Sequence, residues 1–205
     1  MDILQKFNNN QRRIGLTGGI ASGKSTITNY IRKYKNIPIL DADNLSKELI
    51  KPDTYGYKKI LEYFGNQIIN NKKNSEKAIN RTLLRRIIFN NSESKEWIEQ
   101  LLHPLIKERM IEECCQYENN QTILLVIPLL FEANFEDICT EIWLIKCPSE
   151  LQKKRLITRD KISEKEAYKI INAQLSFEEK RKLSDIILDN SVDHNKWINT
   201  IKELL

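Results

Sequence analysis

The chain of 205 residues has few cysteines, no long apolar run and no signal-peptide pattern. Its four cysteines form no C-x-x-C pair, and the first ten residues carry an early acid and no apolar stretch of signal-peptide length. The cysteines are Cys114, Cys115, Cys139 and Cys147. We therefore expect reduced cysteines that serve in packing, and no disulfide framework. Because no run approaches the length of a membrane span, we predict a cytoplasmic protein with no membrane partner.

A strong excess of positive charge is also missing. The 33 Lys+Arg residues stand against 28 Asp+Glu residues, a net charge of +5, and the two signs are interspersed along the chain. Nucleic-acid binding usually requires basic and aromatic residues clustered on one face. We therefore predict no nucleic-acid partner, while the mild positive charge suits a small anionic ligand.

The signatures of a GTPase switch are incomplete. No N-K-x-D guanine motif occurs, and the D-x-x-G match at residues 53–56 follows Lys51 and Pro52 instead of an apolar strand. Its aspartate could not sit beside a metal ion at the edge of a sheet. A nucleotide-driven switch is the weaker alternative.

One glycine-rich stretch fits the phosphate-loop pattern G-x-x-x-x-G-K-[ST]. In such a loop the backbone N–H groups point at phosphates, Lys24 reaches the β/γ oxygens and the Ser25 hydroxyl ligates Mg²⁺. The flanks agree, because residues 12–17 have the composition of a strand and residues 25–34 have apolar positions at helical spacing. We predict that ATP contacts Gly18, Gly19, Ile20, Ala21, Ser22, Gly23, Lys24, Ser25 and Thr26.

Five apolar segments alternate with helical patterns, which predicts an α/β fold with a doubly wound parallel sheet. The predicted strands are residues 14–17, 37–40, 122–127, 141–146 and 185–189. Residues 44–117 read as a helical insertion, with a polar loop at 66–75 and a long helix at 97–117 that we expect Pro104 to interrupt. Capping-box pairs between the last two strands predict three short helices. The pairs are Ser149 with Gln152, Ser163 with Glu166, and Ser176 with Glu179.

Two kinds of charged side chain are candidates for chemistry. Asp41 and Asp43 follow the second strand, at the sheet edge where ligands bind, although Asp43 could equally cap the next helix. Arg155 and Arg159 lie four residues apart in the first of the three short helices and could stabilise a transferring phosphoryl group, or could form ordinary surface salt bridges. Glu132 is a weaker candidate for a metal or acceptor contact.

Taken together, the motifs resemble those of the dephospho-CoA kinases, which are P-loop kinases. The resemblance covers the chain from about Arg12 to its C-terminus. The motifs that carry it are IGLTGGIASGKST at 14–26, DAD at 41–43, LLHPLI at 101–106, IPLLFE at 127–132, Arg155 with TRD at 158–160, AQ at 173–174 and ILDN at 187–190.

The resemblance implies a three-layer P-loop kinase fold and transfer of the ATP γ-phosphoryl group to the ribose 3′-hydroxyl of dephospho-CoA, with Mg²⁺. Asp43 and Lys24 would be catalytic together with the lid residues Arg155 and Arg159, and Ser25 would hold the metal. The implied substrate contacts are Thr17, Asp43, His103, Leu129 and Gln174, although a lone His such as His103 is more often structural.

The implied organisation is a disordered leader followed by a single kinase domain. The boundaries are 1–11 for the leader and 12–205 for the domain, with a core (12–43, 118–150 and 184–205), a helical CoA-binding insertion (44–117) and a lid (151–183). We expect a monomer or weak homo-oligomer whose partners are ATP and dephospho-CoA. Lys169 stands where relatives usually carry Arg. A kinase that acts on a nucleoside monophosphate is a related alternative, since only the acceptor-binding insertion would differ.

Overall fold

The computed structural model describes Phe7 and residues 10–70, 77–118, 121–191 and 194–205. Two predictions fall partly outside these residues. They are the leader, at residues 1–6 and 8–9, and the polar loop, at residues 71–75.

The core of the structure is a five-stranded sheet in which every pair of neighbours is parallel. The strands are β1 (Arg12–Gly18), β2 (Ile39–Asp41), β3 (Thr122–Val126), β4 (Glu141–Lys146) and β5 (Ile186–Asp189). Their order is β2-β3-β1-β4-β5, with Gly15 of the central strand opposite Leu125 and Ile142. The predicted parallel sheet is therefore confirmed, and the carboxyl end of β1 lies at the middle of the sheet edge where α/β proteins bind ligands.

One face of the sheet is covered by α1 (Lys24–Tyr34) and α9 (His194–Leu204). Both helices bring apolar residues to the strands at helical spacing, as a surface helix must. The buried cluster contains Ile14, Leu16, Ile27, Ile31, Leu124, Val126, Trp143, Ile145, Leu188, Trp197 and Ile201. Burial of the strand residues on both faces explains why β3 and β4 are nearly continuous apolar runs.

The chain divides into two compact units. The core unit contains residues up to Asp41 and from Glu113 onward, and the helical unit contains Ala42–Glu112. Helices α2 (Ala42–Leu49), α3 (Tyr55–Phe64) and α4 (Arg81–Asn90) belong to the helical unit, as does most of α5 (Ser92–Cys114). This unit has its own apolar cluster, which includes Ile60, Phe64, Ile68, Leu84 and Ile98.

Helix α5 differs from its prediction. It runs without interruption from Ser92 to Cys114 and contains Pro104. Proline removes one backbone donor at a cost of about 3 kcal/mol, but Pro104 itself is exposed and Ile98 and Ile106 on the same helix are buried. Burial of the helix residues therefore outweighs the helix-breaking effect of Pro104. The helix also begins five residues earlier than predicted, at Ser92 instead of residue 97.

Three short helices lie between β4 and β5, as predicted: α6 (Ser149–Asp160), α7 (Glu164–Asn172) and α8 (Phe177–Lys182). The capping boxes at Ser163 and Ser176 are confirmed. The box predicted at Ser149 is wrong, because Pro148 is the N-cap residue of α6 and the Gln152 side chain donates to the Cys147 carbonyl at 2.8 Å.

Two described residues of the predicted leader are buried. The Arg13 guanidinium lies 3.9 Å from the centroid of the Phe7 ring, and Gln11 Nε2 donates to the Cys114 carbonyl at 3.0 Å. A cation–π contact and a buried hydrogen bond hold Phe7 and Gln11 against the core unit. Phe7 and Gln11 are therefore packed against the core unit. In the described ranges, no helix has the length and apolar character needed to cross a membrane.

Candidate active site

The predicted phosphate loop connects β1 to α1 at the centre of the sheet edge. Its backbone takes positive φ angles at Gly18 (153°), Ala21 (56°) and Gly23 (102°), and Gly23 is the N-cap residue of α1. The Ser22 N–H donates to the Gly19 carbonyl at 3.1 Å and closes a turn. Because the first amides of α1 face this loop, the site favours an anion.

The side chain of Lys24 lies along the loop. Its Nζ donates to the carbonyls of Gly18 at 2.5 Å and Gly19 at 3.2 Å. The ammonium group is therefore held at the mouth of the loop. Ser25 and Thr26 are exposed in the first turn of α1, so their hydroxyls are accessible to a ligand.

Side chains from two other segments brace the loop. Asn190, which follows β5, donates from Nδ2 to the Ser22 carbonyl at 2.8 Å, and Gln174 Oε1 accepts the Ile20 N–H at 2.7 Å. A Cβ atom at Gly23 would lie 2.1 Å from Asn190 Nδ2, so this position has no room for a side chain. Asn190 was not predicted as a site residue. The sequence held no signal for it beyond its place in the ILDN motif.

The two arginines of α6 occupy different environments. Arg155 Nη1 lies 3.4 Å from the Ala21 carbonyl in the loop and 3.6 Å from Cys147 Sγ. Arg159 instead forms a bidentate pair with Asp160, at 2.7 and 3.0 Å, and its side chain is 54% exposed. The structure thus brings Arg155 to the phosphate loop and leaves Arg159 in a surface ion pair.

The loop after β3 also approaches the phosphate loop. Thr17 is fully buried, and its hydroxyl donates to the Pro128 carbonyl at 3.3 Å. Leu129 follows Pro128 and is half-buried. Glu132, three residues further on, accepts the Leu175 N–H at 3.0 Å and lies 2.8 Å from Lys180 Nζ. Its carboxylate therefore has protein partners, which the sequence did not indicate.

The remaining candidates lie in or next to the helical unit. Asp41 is the last residue of β2, and Asp43 is an exposed residue in the first turn of α2, so it does not serve as the N-cap. His103 lies in α5, where burial lowers its pKa. The D-x-x-G match begins at Asp53, and the next residue, Thr54, caps α3 by accepting the Tyr57 N–H. This motif therefore has a structural role at a helix start.

The buried cysteines have little thiolate character. Burial raises the pKa of Cys114 and that of Cys139 to about 12, so both thiols stay protonated at neutral pH. Neither side chain is a candidate nucleophile.

The described residues contain no cluster of three His, Cys, Asp or Glu side chains suited to a metal ion. A Mg²⁺ ion that accompanies a nucleotide requires only one or two protein ligands, because phosphate and water oxygens complete its coordination. The accessible hydroxyl of Ser25 fits this requirement.

Comparisons with known proteins agree with this geometry. The chain matches the family described as dephospho-CoA kinase over residues 12–196. It is 84% identical to a dephospho-CoA kinase from Prochlorococcus marinus over 205 residues, the whole of both chains. The chain belongs to the dephospho-CoA kinase family.

Solved structures support the same assignment. The structure of the dephospho-CoA kinase from Campylobacter jejuni is 28% identical, with a TM-score of 0.69, and the match covers 95% of this chain and 97% of that one. A protein from Thermus thermophilus is 27% identical with a TM-score of 0.78, covering 96% and 97% of the two chains. Membership of the dephospho-CoA kinase family confirms the predicted resemblance, the P-loop kinase fold and the function, an ATP-dependent phosphorylation of dephospho-CoA in coenzyme A biosynthesis.

Proposed function

We propose that this kinase transfers the γ-phosphoryl group of ATP to the ribose 3′-hydroxyl of dephospho-CoA, and that residues 18–26 hold the triphosphate. The observation that carries the proposal is the conformation of the loop: two glycines with positive φ, a helix N-terminus and the ammonium of Lys24 converge at the carboxyl end of the central strand. The loop amides and α1 bind the phosphates, while Lys24 exchanges the Gly18 and Gly19 carbonyls for phosphate oxygens.

We assign the acceptor contacts to Asp43 and His103 of the helical unit together with Thr17 and Leu129 of the core unit. Asp43 accepts a hydrogen bond from the acceptor hydroxyl and orients it, and it takes the proton as the new bond forms. His103, Leu129 and Thr17 are the proposed contacts to dephospho-CoA, as the family motifs imply. The chain is continuous from β2 to α2, so Asp43 follows the ligand-binding edge of the sheet by two residues.

A Mg²⁺ ion is proposed from the family motifs and from the accessible hydroxyl of Ser25. Ser25 is the proposed protein ligand of Mg²⁺, which when bound neutralises charge on the phosphates.

The lid side chains complete the proposed site. Arg155 is placed to neutralise charge on the transferring group, because it already lies beside the loop. We include Gln174 as a lid contact and Arg159 as a weaker one, because Arg159 is paired with Asp160. Closure over the nucleotide excludes water, which would otherwise compete as the acceptor and hydrolyse ATP.

The proposed partners are ATP and dephospho-CoA. A cytoplasmic location and a monomeric or weakly oligomeric state remain predictions of the sequence.

The test is ADP release from ATP and Mg²⁺ with dephospho-CoA, adenosine, AMP, CMP or no acceptor, with Lys24→Ala as the control. We expect turnover with dephospho-CoA far above the other arms, and a product phosphorylated at the ribose 3′ position. Turnover with a monophosphate would contradict the assignment of the acceptor site. ATP hydrolysis without any acceptor dependence would contradict it as well.

A further inference from the structure

Lys180 is a fully buried lysine in the last turn of α8. Its side chain is 1% exposed, although lysine is rarely buried without a charged partner. The partner is Glu132, whose Oε1 lies 2.8 Å from Lys180 Nζ. The ion pair therefore joins α8 to the loop that follows β3.

The same carboxylate oxygen has a second partner. Glu132 Oε1 accepts the backbone N–H of Leu175 at 3.0 Å, in the link between α7 and α8. One side chain thus fixes two points of this segment, the link at Leu175 and the helix at Lys180.

A contribution to the stability of the fold does not by itself explain this buried ion pair. The other carboxylate oxygen, Glu132 Oε2, is buried and accepts no hydrogen bond from any residue that the structure describes. A buried ion pair whose hydrogen bonds are incomplete is often no more stabilising than apolar side chains of similar size. A role in positioning explains the pair better.

The link that Glu132 holds leads directly to the phosphate loop. Gln174 precedes Leu175, and its Oε1 accepts the Ile20 N–H at 2.7 Å. A cavity of about 590 Å³ is lined by Gly19, Gln174, Leu175 and Lys180 among others. The link therefore borders this cavity, where the Glu132 carboxylate is one of its contacts.

We propose that Glu132 and Lys180 are positioning residues that fix the α7–α8 link, so that Gln174 holds Ile20 and keeps the phosphate loop in its ATP-binding geometry. This inference rests on the proposed function only in treating the loop as the ATP site. Neither residue needs to touch ATP.

The main test replaces both charges at once, with Glu132→Leu and Lys180→Met. This variant buries no unpaired charge and provides no acceptor for the Leu175 N–H, which can turn to water because Leu175 is 38% exposed. We expect the melting temperature to stay close to wild type and the Kd for ATP, measured by calorimetry without an acceptor, to rise about tenfold. An unchanged Kd in the folded variant would overturn the proposal.

A matched control and a conservative variant sharpen the result. Lys182→Met removes an exposed lysine from the same helix and should leave the Kd unchanged. Glu132→Gln with Lys180→Met keeps an amide oxygen for the Leu175 N–H, so its Kd should lie between those of wild type and the Leu/Met pair. A higher Kd for the Gln/Met variant than for the Leu/Met variant would contradict the proposal. If the Leu/Met variant does not fold, the Kd of the Gln/Met variant still tests it against wild type.

A double-mutant cycle tests the route through Gln174. Gln174→Ala alone should weaken ATP binding by a factor similar to that of the Leu/Met pair, and the combination should weaken it no further. Effects that multiply would show that the ion pair and Gln174 act independently, against the proposal. Since ATP binding is measured without dephospho-CoA, the outcome stays readable even if another acceptor is the true substrate.

Discussion

The phosphate loop and helices α6 and α7 are held in place by different kinds of contact. The loop is fixed by its own backbone and by Asn190 and Gln174, which come from distant parts of the chain. Helices α6 and α7 depend more on contacts within their own segment, such as the capping box at Ser163 and the ion pair of Lys153 with Glu164. Helix α8 is instead tied to the loop after β3 by the Glu132–Lys180 ion pair. A loop that binds a highly charged ligand gains from being rigid before the ligand arrives. The proposed lid must instead move, and contacts within one segment survive such movement.

The difference is also visible within helix α6. Arg155 and Arg159 are four residues apart, yet only Arg155 reaches the loop, while Arg159 pairs with its neighbour Asp160. Helical spacing places two side chains on one face but does not give them the same partners.

The largest expected effect concerns the loop lysine. Lys24→Ala removes a preorganised charge from the transferring group and should lower the rate of transfer to dephospho-CoA by roughly 10³-fold. Asp43→Asn should cost less, roughly 10²-fold, because the loose transition state of phosphoryl transfer makes little demand on a base. Equal losses, or a larger loss for Asp43→Asn, in the measured kcat would contradict this order.

The second prediction tests the rigidity of the loop. Gly23 has φ of 102° and no room for a Cβ atom, so Gly23→Ala must displace Asn190 and distort the loop. We expect the KM for ATP to rise by about tenfold or more and the free energy of unfolding to fall by about 1–3 kcal/mol.

Gly65→Ala is the control, because Gly65 has φ of 75° but no neighbouring atom within 4 Å. It should also lose about 1–3 kcal/mol, because its φ of 75° and ψ of 175° form a conformation that essentially only glycine adopts, but it should keep its KM for ATP. A similar rise in KM for both variants would show that the contact with Asn190 is unimportant.

The third prediction compares the two lid arginines. Arg155→Ala should lower kcat by about tenfold or more, since Arg155 already lies beside the loop. Arg159→Ala should lower it by a factor of only about two or three, because an exposed ion pair contributes little. A larger loss for Arg159→Ala in steady-state kinetics would mean that closure brings Arg159 to the phosphates.

The smallest effect is a dependence of stability on pH. Burial lowers the pKa of His103 in the folded protein below its ordinary value of 6.5, so the folded state binds this proton less readily than the unfolded state. The contribution to stability is complete above about pH 6.5 and is lost as the pH falls through the folded pKa. His103→Gln should therefore show a smaller fall in melting temperature than wild type between about pH 8 and about pH 5.5. An identical fall would assign the pH dependence to other groups.

Much of the fold was predictable because its signals are local. Buried parallel strands such as β3 and β4 are apolar on both faces, and the glycine pattern at residues 18–26 permits few backbone conformations. Pro104 shows the limit of local reasoning, because the burial of residues elsewhere in α5 outweighed the missing donor.

By itself the sequence determined the family, the order of strands and helices along the chain, and the position of the phosphate loop, since each follows from side-chain types at short spacing. Only the tertiary structure decided which distant side chains meet. It placed Asn190 against Gly23, Gln174 against Ile20 and Glu132 against Lys180. Such contacts depend on how the chain closes in space, and spacing along a single sequence does not encode them.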